Sequence, residues 1–251
     1  ISLRDGDYTP TGYVGKIAAI DGERITFDKP LPESANGIFV CFNTRFDTRN
    51  IIVRNCKFVR HGCRGLLILA KDVTIENSLF EREQMGALKF ETGYTFNVWC
   101  EGTGVDNVVV RNCTFKRSNL RGIKSHGFAR DIQISAYVEK DPSEKQPKTP
   151  VITNLLFENN KFYETAGVVA VAAACENVIF RNNRIENARD TPSVAEKDKW
   201  CRGGFYVRSG KNIKIVNNTY VKSPYMPNAG VYAKRGEYEN CEFAGNKTVE
   251  K

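Results

Sequence analysis

NIIVRNCKF, residues 50–58, is the stretch whose reading decides the fold, because the chain goes on to copy it. DVTIENSLF starts at Asp72, NVVVRNCTF at Asn107, NLLFENNKF at Asn154, NVIFRNNRI at Asn177 and NIKIVNNTY at Asn212. A weaker copy, RGEYENCEF, starts at Arg235, and a degenerate one, DIQISAYVE, at Asp131. The eight starts are 22, 35, 24, 23, 23, 35 and 23 residues apart, a period near 23 with two insertions of about a dozen. Fixed-period self-similarity of this length marks a solenoid, propeller or array.

Within each copy apolar residues alternate, as Ile51 with Val53 and Val73 with Ile75, which is strand periodicity with one buried face. The sixth position is asparagine at 55, 77, 112, 159, 182, 217 and 240, and the ninth is mostly phenylalanine, as at Phe58, Phe80, Phe115 and Phe162. A second column of short strands follows: GLLILA from Gly65, GALKFE from Gly86, GIKSHG from Gly122, GVVAVA from Gly167, GFYVRS from Gly204 and GVYAKR from Gly230. Two or three strands per turn describe a coil stacked on itself, with equivalent positions about 4.8 Å apart. The expected fold is therefore all-β, a right-handed parallel β-helix of about eight rungs over residues 50–251. Sixth-position asparagines are expected to turn the corner in left-handed conformation and to hydrogen-bond one another.

Residues 1–49 do not follow the period. GYVGKIAAIDGERITFDKPLPE reads as strands joined at Asp21-Gly22, a hairpin signal, in a segment packed on or inserted in the first rung. Nothing there resembles a solenoid cap, which leaves room for further rungs before Ile1. The chain starts at isoleucine with no signal peptide, as a mature or trimmed product would.

Composition narrows the function. The 251 residues hold 41% hydrophobic and 26% charged residues, with a net charge of +8. The basic residues are scattered and match no nucleic-acid module, so no nucleic-acid partner is expected. No apolar run reaches the roughly 18 residues of a membrane span, so no membrane insertion is expected. Eight cysteines without a Cys-x-x-Cys pair, and only two histidines, argue against zinc; no metal or cofactor is expected. Cysteines at the seventh position read as small hydrophobes.

Ligand sites on such a coil belong on a lateral face, walled by loops that interrupt it. Two insertions qualify, Thr92–Asp106 and Glu186–Gly204, and each holds one of the two tryptophans, Trp99 and Trp200. Either these rings pin their loops to the wall or they offer a platform to a sugar. Glu91 stands at the mouth of the first insertion and Glu101 lies within it. Glycoside hydrolysis needs two carboxyl groups roughly 5 to 10 Å apart, one to protonate the leaving oxygen and one as base or nucleophile.

The run from Asn55 to Phe115 resembles glycoside hydrolase family 110, right-handed parallel β-helix enzymes. The matching residues are Arg64-Gly65-Leu66-Leu67, Gly86-Ala87, and Trp99, Glu101 and Val105. The likeness implies an exo-acting, metal-free hydrolase releasing terminal α-linked galactose, with a galactose-containing glycan as partner. It departs at Tyr94 and Thr95, where that family carries Gly-Asp, at Cys100 in place of an aromatic, and in lacking an upstream Asp-Asp pair. The expected catalytic residues are Glu91 and Glu101, with His61, Arg64, Asn97, Trp99 and His126 positioning the sugar in a secreted or periplasmic protein. The alternatives are a non-catalytic carbohydrate-binding or scaffold β-helix and, third, a polysaccharide lyase. The lyase would want a calcium site of clustered aspartates, which the sequence lacks.

Overall fold

Alternating apolar residues at a 23-residue period do wind the backbone into a parallel coil. The computed structural model describes residues 1–33, 37, 39–95, 99–120, 130–140, 145–165, 167–186, 188, 203–224, 230–233 and 236–251. Asn97, His126 and Trp200, and the GIKSHG copy apart from its surroundings, lie outside the described residues.

Three sheets of seven strands make the walls. One, the long sheet, runs in parallel from Arg49–Arg54 through Lys71–Glu76, Val105–Arg111, Ile152–Glu158, Cys175–Arg181 and Gly210–Val216 to Tyr238–Glu239. A second, the corner sheet, holds the three-residue strands around the ninth position, from Lys57–Val59 to Lys247–Val249. The third, the lateral sheet, contains the second-column strands Leu66–Ile68, Leu88–Thr95, Arg130–Val138, Val168–Ala172, Phe205–Val207 and Val231–Ala233. Its seventh strand, Trp99–Glu101, is antiparallel to Leu88–Thr95.

The ninth-position rings fill the interior. Phe58, Phe80, Phe115 and Phe162 stack at centroid separations of 4.8, 5.1 and 4.7 Å. Those distances match the strand spacing, so each ring meets its copies face to face.

Two repeat copies are re-registered by the structure. Asp131 does not open a long-sheet strand, because Arg130–Val138 lies in the lateral sheet between Leu88–Thr95 and Val168–Ala172. The last copy starts at Asn240 rather than Arg235, since Lys211 pairs with Glu239 and Asn240 Nδ2 donates to Asn212 Oδ1 at 2.6 Å. Gly245, at φ +66°, then takes the left-handed corner that asparagine occupies elsewhere.

The asparagine ladder also moves. Sixth-position asparagines do adopt positive φ, between 51° and 57° from Asn55 to Asn217. The hydrogen-bonded ladders run through neighbouring columns. Outside, Asn212 donates to Asn177 and Asn177 to Asn154, both at 3.0 Å. Inside, the seventh-position side chains accept the backbone N–H one rung back: Asn160 from Cys113 at 2.9 Å, Asn183 from Asn160 and Asn218 from Asn183 at 3.0 Å. These three asparagines are buried, and their amides donate in turn to the carbonyls of Val110, Phe157 and Phe180. The coil thus pairs the polar groups of its corner with one another. The seven described cysteines are all free.

In the first 49 residues, Ser2–Asp5, Pro10–Val14 and Phe39–Phe42 form an antiparallel sheet, and Ile17–Asp21 pairs with Arg24–Phe27 as a hairpin. The segment leans on the lateral sheet's antiparallel return. Tyr8 Oη lies 3.1 Å from Thr92 Oγ1, Arg4 Nη2 donates to the Thr103 carbonyl at 2.7 Å, and Tyr94 Oη donates to the Gly6 carbonyl at 2.6 Å.

Candidate functional site

The lateral strand Leu88–Thr95 is eight residues long, whereas its neighbour Leu66–Ile68 has three. Leu66–Ile68 pairs only with Leu88–Phe90, so the second half of the long strand overhangs and is met by its own return, Trp99–Glu101. The expected loop Thr92–Asp106 is therefore a β-hairpin for part of its length, and Glu91 sits mid-strand rather than at a strand end. Gly93 lets this strand lie close against its parallel neighbour Arg130–Val138: at φ +116° a Cβ would fall 1.9 Å from the Tyr137 carbonyl oxygen.

Side chains alternate across this strand. Leu88, Phe90 and Thr92 are buried inward, with Phe90 edge-on to Phe157 at 5.6 Å. Lys89 and Glu91 take the other face, where a cleft of about 400 Å³ is lined by Arg64, Lys89, Glu91, Thr95, Trp99, Glu101, Tyr137 and Leu67. The structure thus brings together Arg64, Glu91, Trp99 and Glu101 of the residues expected from sequence. His61 is not brought there; its ring lies edge-on to Phe58 at 5.9 Å, because it follows the corner strand rather than the lateral one. Asn97 and His126 are outside the described residues.

The two acids differ in their surroundings. Glu91 Oε2 is 2.7 Å from Lys89 Nζ, with side chains only 6% and 7% exposed. Burial pushes the Lys89 ammonium below its ordinary pKa, and the Glu91 charge opposes that shift. Ser135 Oγ donates to Glu91 Oε2 at 3.3 Å, Gln133 Nε2 to Ser135 Oγ at 2.8 Å, and Arg130 Nε to Gln133 Oε1 at 3.0 Å. Glu91 is therefore anchored from the next rung. The Glu101 carboxylate, by contrast, has no ionic or hydrogen-bonding partner among the described residues. Burial raises the neighbouring Cys100 thiol pKa, and the Glu101 charge adds to it. Among the described residues Arg64 makes one hydrogen bond, Nη1 to Cys63 Sγ at 3.4 Å, which leaves most of its fork uncommitted there.

Trp99 and Tyr137 form the apolar wall, edge to face at 5.1 Å, and Lys89 Nζ is 5.7 Å from the Tyr137 ring centre. Lys89, Tyr137, Thr95 and Leu67 were not singled out from sequence as site residues. Lys89 had a signal, a charge two residues before Glu91 in an otherwise apolar strand. Tyr137 has none, because only the pairing of its strand with Leu88–Thr95 decides which wall it joins. Among the described residues no group of histidines, cysteines and acids could hold a metal ion, and no helix is long and apolar enough to cross a membrane.

Comparison with known proteins agrees with this architecture. Residues 101–248 match the family model described as right handed beta helix region. The chain is 28% identical over 174 residues to alpha-1,3-galactosidase A of Bacteroides fragilis, covering 68% of this chain and 27% of that protein. It is 26% identical over 168 residues to alpha-1,3-galactosidase A of Peterkaempfera griseoplana, covering 64% and 21%. The chain thus spans about a quarter of the length of the curated relatives it matches. These relatives bear out the resemblance to the family 110 galactosidases. Stacked parallel sheets and a family match across more than half its length place this chain in the right-handed β-helix family.

Proposed function

We propose that the lateral cleft binds the terminal α-linked galactose of a glycan and hydrolyses its glycosidic bond. Glu101 serves as the proton donor to the leaving oxygen, and Glu91, charge-paired to Lys89, is the second carboxylate. Trp99 and Tyr137 face the apolar side of the sugar, and Arg64 offers paired donors to vicinal hydroxyls. The observation that supports this most is the pairing of one anchored and one uncommitted carboxylate beside an aromatic wall in a single cleft. The names of the relatives supply the sugar and the linkage. A secreted or periplasmic location fits a glycan substrate.

Glu101→Gln is expected to abolish galactose release from a terminal α-galactoside while leaving the melting temperature unchanged. Full activity in that variant would remove the assignment. A second reading, carbohydrate binding without hydrolysis, is favoured by Tyr94 and Thr95, which stand where the resembled family carries Gly-Asp. Galactoside binding by the parent chain with no release of galactose would select it.

A further inference from the structure

The cleft occupies one end of a line of outward side chains on the lateral sheet. The strand register places Leu67, Lys89, Gln133, Val171, Tyr206 and Tyr232 side by side, one per strand. Tyr206 is three strands from Lys89, about 14 Å at the usual strand spacing. The rings of Tyr206 and Tyr232 are stacked, with centroids 5.1 Å apart and planes inclined by 20°. Both are half-buried, and so is Arg208, two residues beyond Tyr206. The Arg208 guanidinium has no hydrogen-bonding or ionic partner among the described residues. Between the stack and the cleft stand the side chains of Gln133 and Val171.

The two rings form a stacked aromatic pair on the outward side of the lateral sheet, beside the Arg208 side chain. An aromatic face beside an uncommitted guanidinium fork is chemistry for a sugar ring with vicinal hydroxyls, since carbon–hydrogen faces stack on the ring while hydroxyl pairs accept from the fork. We propose that Tyr206, Arg208 and Tyr232 form a second sugar-contact surface, which holds the inner units of an oligosaccharide whose terminal galactose occupies the cleft. This rests on the reading of the cleft given above, and it specifies the substrate class as an extended oligosaccharide rather than a short galactoside.

The test compares binding of methyl α-galactoside with that of an α-galactosyl-terminated tetrasaccharide by calorimetry, in the Glu101→Gln chain so that neither is consumed. The tetrasaccharide is expected to bind about tenfold more tightly. The Tyr206→Ala/Tyr232→Ala pair should erase that margin and leave methyl galactoside affinity unchanged, while Tyr206→Phe/Tyr232→Phe, which keeps the rings, should retain it. A margin that survives the alanine pair, or no margin in the parent, overturns the proposal. If methyl galactoside fails to bind, the reading of the cleft fails by itself. Tetrasaccharide binding that still depends on the two rings would then uphold the second surface, and binding that ignores them, or none, would sink it too.

Discussion

Glu83 is a carboxyl group in the interior of the coil, fully buried, with neither oxygen meeting a hydrogen-bond partner among the described residues. It follows Phe80 by three residues, the place in its rung that His61, Ser118 and Thr165 occupy in theirs. Burial drives its pKa from 4.5 up to about 8; nearby backbone N–H groups oppose the shift and the Asp131 charge reinforces it. The sign follows from proton uptake. Between pH 4.5 and 8 the folded chain holds a proton that the unfolded chain has released, so stability is fully present below the lower value and is lost as pH rises through the upper one. At about 1.36 kcal/mol per pKa unit, the loss between pH 5 and pH 8 is about 3.5 kcal/mol. For a chain of this length that is roughly 7 to 14 °C in melting temperature.

The measurement is thermal unfolding by circular dichroism at pH 5 and pH 8 for the parent and for Glu83→Gln. The amide introduces an offset of its own, since it too lacks partners, but the offset is independent of pH and cancels in the difference between the two conditions. Asp47 titrates near 2, Cys113 near 11 and Tyr94 near 12, outside the window. The variant should lose most of the parent's decline between pH 5 and 8. A decline of equal size in both proteins would show that Glu83 is not kept protonated in the folded chain, and the argument from its burial would fail.

Lys89→Met should cost about 3 to 5 kcal/mol in chemical denaturation, because it leaves the buried Glu91 carboxylate without its ion pair, and Lys89→Met/Glu91→Gln should recover much of that; a loss under about 1 kcal/mol for the single variant would mean the pair is solvated. Asn183→Ala removes the acceptor of the Asn160 N–H and the donor to the Phe157 carbonyl, costing roughly 3 kcal/mol by thermal melting, whereas Asn182→Ala at the left-handed corner should cost about 1 to 2. The reverse order would contradict an interior ladder.

How far the sequence could be read depended on the range of the interaction that encodes each feature. The coil is written locally: alternation makes the strands, left-handed asparagines turn the corner, and one phenylalanine per rung makes the stack, so Asn50 to Phe162 displayed the period. Where the local pattern was ambiguous, the register failed. ENCEF at 239–243 imitates RNCKF at 54–58, but Asn240 occupies the opening column and Gly245 the corner. Likewise the alternation of Ile132 and Ile134 fits either wall, and only pairing with Leu88–Thr95 decides it. That single reassignment is what connects the sequence to the cleft, because moving Arg130–Val138 to the lateral sheet brings Ser135 to Glu91 and Tyr137 to Trp99. Arg64, Glu91, Trp99 and Glu101 stood out because they lie within one run of 38 residues, 64–101, around a break in the period. Lys89 looked misplaced for a physical reason: its charge is tolerable at that depth only because Glu91 stands two residues on along the same face, and Glu91 is anchored by a rung 44 residues away. The most irregular residue of the repeat is thus the one that binds Glu91 in place, while the Glu101 carboxylate across the cleft has no partner among the described residues.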